Sequence, residues 1–153
     1  MSDEKRGMRG FTLLEIVTVV LIMGVILGFS IPALQSINKS YQLKGASENL
    51  VGQIRLSRQK AISEDHQQQW TFDTSTNSYK VQDLTTSEWF GPFEMPKQVA
   101  MESVSLSVGG VPGNTLTCLT DGRFNGSGDI VLKSLRGDRD TVTVQMSGLV
   151  LFR

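Results

Sequence analysis

From Phe11 to Ile31 the chain is almost unbroken in apolar residues, and it is long enough to cross a bilayer, which takes about 20 residues. Glu15 lies inside this run. An ionised carboxylate in hydrocarbon costs about 2.5 to 3.5 kcal/mol even on lenient insertion scales, so its presence asks for a cation from elsewhere. After Pro32 the pattern becomes amphipathic: Leu43, Ala46, Leu50, Ile54, Ser57 and Ala61 recur at spacings of three and four, one stripe of a helix. Lys44, Glu48, Arg55, Arg58 and Lys60 fall mostly off that stripe. One helix from about Phe11 to about Ser63 is expected, on the order of 80 Å long, with Pro32 kinking or loosening it. Gly45 and Gly52 each weaken its second half by up to about 1 kcal/mol relative to alanine, so packing must hold it.

Beyond Gln67 the period drops to two. Residues 70–72, 79–81, 104–108, 116–119, 130–132 and 142–146 read as strands. The stretches 73–78, 109–114, 126–129, 136–140 and 147–148 read as turns. Six or seven short strands suggest antiparallel sheet packed on the amphipathic helix, an α+β fold. The expected divisions are a leader at 1–10, a transmembrane and helix-bundling segment at 11–34, an amphipathic helix at 35–64 and a β-rich domain at 65–153.

Composition narrows the function. Of 153 residues, 122 follow Ile31, enough for one small domain. The formal charge is zero, and from Tyr41 onward 11 Lys or Arg face 12 Asp or Glu, so no bulk basic field recruits nucleic acid. Cys118 is the single cysteine and makes no intrachain disulfide, leaving the core to hold the domain. Lys5, Arg6 and Arg9 keep the N-terminal end cytoplasmic.

Gly10-Phe11-Thr12-Leu13-Leu14-Glu15, followed by the apolar run and Pro32, resembles the class III leader of type IV pilins and type II secretion pseudopilins. The resemblance implies that a prepilin peptidase cuts after Gly10 and methylates the amine of Phe11. It also implies that Glu15 pairs with the terminal amine of an adjacent subunit as helices bundle. Two plainer readings compete. A secretory signal would use Gly28-Phe29-Ser30 as its small-x-small site, and a simple anchor would explain the length of the run. Neither gives Glu15 a purpose. The Gly24 and Gly28 spacing permits close helix approach but is a weak signal.

The remainder carries a second resemblance. Leu50, Arg55, Arg58, Ala61 and Ile62, then Trp70-Thr71-Phe72, Tyr79-Lys80-Val81, Phe124-Asn125-Gly126-Ser127-Gly128-Asp129-Ile130 and a late Ser147-Gly148, follow an order similar to the GspH/FimT domain of minor pseudopilins and minor pilins. What this implies is a non-enzymatic, low-abundance filament subunit. It would be anchored once in the bacterial inner membrane with its C-terminal domain in the periplasm, and assembled with other pseudopilins or pilins. Two settings remain: a type II secretion pseudopilus, with exported protein cargo among its partners, or a type IV pilus acting in assembly or DNA uptake. The lone cysteine and the apolar tail, Leu149-Val150-Leu151-Phe152 before Arg153, tilt the reading toward secretion. Arg123, Lys133, Arg136 and Arg139 make at most a weak basic patch, because Asp121, Asp129, Asp138 and Asp140 lie among them; DNA binding is disfavoured.

Catalytic patterns are missing from the sequence. With His66 the single histidine, a His-rich metal site or a Ser-His-Asp triad with spare parts is out of reach. His66 reads as a surface residue after the helix end, and Cys118 as a buried structural thiol. The glycines from Gly122 to Gly128 lack the Gly-Lys-Ser/Thr ending of a phosphate loop and read as a turn. Arg136-Gly137-Asp138 spells an adhesion tripeptide but suits any exposed hairpin turn. No cofactor is implied.

Overall fold

The structure, a computed structural model, describes residues 11–153, with the side chains of 29–40 outside the description. The leader lies outside the described residues, and so does the Pro32 side chain on which the expected kink rests. A single helix, α1, runs Leu13–Glu64. Contacts divide the chain into two compact units, Met1–Ile37 and Asn38–Arg153. In the first, the described side chains from Phe11 to Gly28 are exposed all round the helix. Among the described residues no helix is long and apolar enough to cross a membrane. The described apolar run ends at Gly28, and the remainder of the expected span falls in the undescribed side chains.

In the second unit the amphipathic part of α1 is joined by nine strands: β1 (Gln68–Asp73), β2 (Ser78–Asp83), β3 (Trp89–Glu94), β4 (Val99–Val108), β5 (Val111–Gly113), β6 (Thr115–Cys118), β7 (Gly126–Ser134), β8 (Arg139–Val144) and β9 (Val150–Phe152). They form two antiparallel sheets, ordered β3-β2-β1-β6 and β5-β4-β7-β8-β9. The unit is α+β, one helix packed with two antiparallel sheets.

The α1 stripe is buried as its spacing demands. Leu43, Ala46, Leu50, Val51, Ile54 and Ala61 enter one core with Trp70, Phe72, Tyr79 and Val81 of the first sheet and Leu106, Ile130, Leu132, Val142, Val144 and Val150 of the second. Trp70 anchors it: its ring stacks on Tyr79 at 5.3 Å and Phe72 at 5.9 Å. Its indole N–H donates to the buried Ser57 hydroxyl at 3.1 Å, so the polar position in the stripe is satisfied. Ser47, also buried, donates to Asp140 Oδ2 at 2.9 Å. Asp65, with φ of 57°, takes the left-handed conformation just past Glu64 and ends the helix.

Three strands exceed the expectation; the expected turn at 126–129 is strand, and so is 111–113 within the expected turn at 109–114. β3 falls where no element is expected and contains Gly91-Pro92; the strand tolerates proline because it lies at a sheet edge. β5 and β9 are three residues each, too short for periodicity to register. The glycines at 126–129 belong to β7, paired along β4 from Ser105↔Asp129 to Val108↔Gly126. The reason is steric: a Cβ at Gly128 would run into the Ser105 carbonyl oxygen and lie 2.8 Å from Leu106 Cα. The two strands approach more closely than any side chain allows.

The helix-to-sheet core predicts a sharp contrast between near neighbours on α1. Ile54 is 0% exposed and Leu56 is 59% exposed. Ile54→Ala is expected to cost about 2 to 5 kcal/mol, and Leu56→Ala to stay within about 0.5 kcal/mol, measured by urea unfolding followed through tryptophan fluorescence.

Candidate assembly sites

The start of α1 is built locally. Thr12 caps it: the Glu15 N–H reaches Thr12 Oγ1 at 3.3 Å and the Thr12 carbonyl at 3.1 Å. Thr12-x-x-Glu15 has the order of a capping box, whose acid favours the positive end of the helix dipole. Glu15 therefore suits the first turn whatever else it does. Phe11, immediately before the cap, is 80% exposed. Around and beyond Glu15 stand Leu13, Leu14, Ile16, Val17, Val20 and Leu21, all exposed, an apolar surface that no described residue of its own unit covers.

At the other end of α1, Arg55 and Arg58 have a role that periodicity did not disclose. Arg55 Nη2 donates to the Val150 carbonyl at 2.7 Å, and Arg58 Nε to the Gly122 carbonyl at 2.6 Å. The two guanidiniums stitch the helix to β9 and to the loop between β6 and β7. Gly148, with φ of 90°, completes the arrangement: a Cβ there would lie 2.5 Å from the Gly122 oxygen and 2.7 Å from Arg58 Nε. The i, i+3 spacing of the arginines and the late glycine were the available signals; their partners, far along the chain, were not readable.

The four cations of the weak basic patch do not stand together. Lys133 and Arg139 face each other across β7 and β8. Both close on Glu102, with Lys133 Nζ at 2.9 Å from Oε1, Arg139 Nη2 at 2.9 Å from Oε1 and Arg139 Nε at 2.5 Å from Oε2. Arg136 sits in the turn between these strands. Arg123 lies in the loop before β7, paired with Asp121 Oδ2 at 2.7 Å. Cations closed on carboxylates have less to offer phosphates.

Cys118 is buried in β6, and burial pushes its thiol up to about 11 against a smaller lowering by Arg58, so it is inert as a nucleophile. His66 departs from the surface reading. It is only partly exposed, and its Nδ1 lies 3.0 Å from Oδ2 of the buried Asp83.

The Arg139 and Lys133 hydrogen bonds hold the Glu102 carboxyl down to about 2, from an ordinary 4.5. A depressed folded value means the pairing contributes to stability above about pH 4.5 and is lost as pH falls toward 2. NMR titration of the Glu102 carboxyl should find a midpoint near 2, moving up toward 4.5 in Arg139→Ala. A midpoint unchanged by that substitution would show that the pair does not form in solution.

No protein-family model and no curated protein matches the chain. Among solved structures, the fold is similar to the minor pseudopilin EpsH of the Vibrio cholerae type 2 secretion system, with a TM-score of 0.57 and 13% identity over 73% of this chain and 96% of that one. It is also similar to the type IV minor pilin FimU of Pseudomonas aeruginosa, with a TM-score of 0.51 and 13% identity over 76% of this chain and 92% of that one. At this identity the likeness establishes the fold: this chain has the α+β architecture seen in minor pilin-like subunits.

Proposed function

We propose that this chain is a minor pseudopilin of the GspH/FimT type, a non-enzymatic subunit of the type II secretion pseudopilus; its alternative setting is as a minor subunit of a type IV pilus. The observation that carries the reading is α1 itself. One face of its later part is buried by two sheets, while its start is apolar on every side and bears one carboxylate in the first turn. Such a surface needs a bilayer before assembly and neighbouring helices after it. In lipid those helices gain little from the hydrophobic effect, so close packing and polar pairs must select the partner.

Glu15 would supply that selection. Cleavage after Gly10 by a prepilin peptidase leaves an α-amino group on Phe11, methylated in this proposal. A neighbour's amine at the level of Glu15 neutralises a charge that otherwise costs about 2.5 to 3.5 kcal/mol. The same pairing fixes the axial step between subunits. The periplasmic domain then meets other minor subunits or exported cargo. Its likeness to both EpsH and FimU supports a pilin-like role and leaves both machines in view; the apolar tail after Gly148 favours secretion.

The discriminating experiment is the culture-supernatant proteome of a strain lacking the gene, with piliation scored on the same cells. Loss of exported enzymes with pili intact is expected; an unchanged secretome with pili lost would assign the chain to pilus assembly. Glu15→Gln isolates the charge, because glutamine also serves a capping box. Glu15→Gln and Glu15→Ala should both insert in the membrane and both fail to enter filaments. Normal incorporation of Glu15→Gln would remove the amine-pairing role.

A further inference from the structure

We propose that Glu64, His66 and Asp83 form a binding site for a divalent transition-metal ion of the zinc class, placed where α1 hands the chain to the first sheet. Glu64 is the last residue of α1, and the left-handed Asp65 turns the chain so that His66 follows beside it. Asp83 ends β2. His66 Nδ1 lies 3.0 Å from Asp83 Oδ2 and 4.0 Å from Glu64 Oε2, and the three ligand atoms fall within 4.8 Å of one another. Donors about 2.0 to 2.1 Å from a tetrahedral zinc ion are roughly 3.3 Å apart. Bringing Glu64 inward by up to about 1.5 Å therefore completes the set, and at 48% exposure its side chain has the freedom to move.

The electrostatics point the same way. The Asp83 side chain is 2% exposed, and among the described residues its only ion-pair partner is His66. Its carboxylate is held in place: Thr85 and Thr86 N–H groups donate to Oδ1 at 2.9 and 3.1 Å, and Gln68 Nε2 donates to Oδ2 at 2.8 Å. Donors of this kind orient a ligating carboxylate. Glu64 adds a second carboxylate at the helix C-terminus, where the dipole is already negative and disfavours it. Among the described residues, Lys60 at 3.7 Å is the permanently charged cation paired with it. One imidazole and two carboxylates make a nitrogen and oxygen donor set with a fourth position open to water, which suits zinc. A structural His66 to Asp83 hydrogen bond accounts for two of the three residues; Glu64, paired with Lys60 at 3.7 Å, also stands 4.0 Å from the same imidazole nitrogen. A bound ion would tie the end of α1 to the end of β2 and stabilise the domain by mass action.

The test is calorimetric titration of the tag-free full-length chain in detergent with zinc chloride, with thermal unfolding alongside. One equivalent should bind with a micromolar or tighter dissociation constant and raise the Tm. His66→Ala and Glu64→Ala should each weaken binding by about tenfold or more. Glu64→Ala alters an exposed side chain, so it reports on the site even if His66→Ala fails to fold. Absence of saturable uptake up to about 1 mM zinc, or Glu64→Ala binding as tightly as the natural chain, would overturn the proposal. So would a Tm indifferent to zinc.

Discussion

The burial of one stripe of α1, from Leu43 to Ala61, against the Trp70 cluster is the interaction on which the Asn38–Arg153 unit depends. Each large apolar side chain taken out of water there contributes about 1.5 to 3 kcal/mol. Gly45 and Gly52 withdraw about 1 kcal/mol each from the helix, so the helix persists there because it is packed. The polar contacts then set its rotation and height. Ser57 under the Trp70 indole, Ser47 on Asp140, and Arg55 and Arg58 on two backbone carbonyls cannot all survive a shift of one residue, which turns a helix by about 100°. Hydrophobic burial supplies the free energy and four directional contacts supply the register.

That division of labour explains how one helix serves two purposes. Where the sheets cover it, α1 shows the alternation of apolar and charged positions that a half-buried helix needs. Near its start it has no such alternation, and its side chains are exposed around the whole circumference. A helix apolar all round is stable only where its entire surface is covered. The proposed filament provides that cover, and the single acid in the first turn gives it a directional contact, as the serines and arginines do in the folded domain.

The extent to which the fold was legible follows from how local each signal is. The stripe on α1 was readable almost residue by residue because helix periodicity is a local property; the structure added Ser47 and Val51. Strands with clear alternation, such as Trp70-Thr71-Phe72 and Val142-Thr143-Val144, were readable for the same reason. β3 was hidden by Gly91-Pro92, and the start of β7 by glycines that serve close strand approach and not a turn. Both need knowledge of what lies alongside. The same limit governed the sites. Glu15 was conspicuous because a carboxylate in an apolar run contradicts its surroundings. The arginine clamp joins residues up to 95 positions apart, and His66 meets Asp83 through a helix end and a hairpin, so neither could be read from spacing.

The most direct test of the central claim is the intact mass and N-terminal sequence of the chain isolated from membranes of the producing cell. The account predicts a protein that begins at Phe11, lacks Met1 to Gly10 and carries one added methyl group on its terminal nitrogen. A chain that retains its leader, or one that begins after Ser30, would contradict it: in the first case no amine would be available to pair with Glu15, and in the second Glu15 itself would be gone.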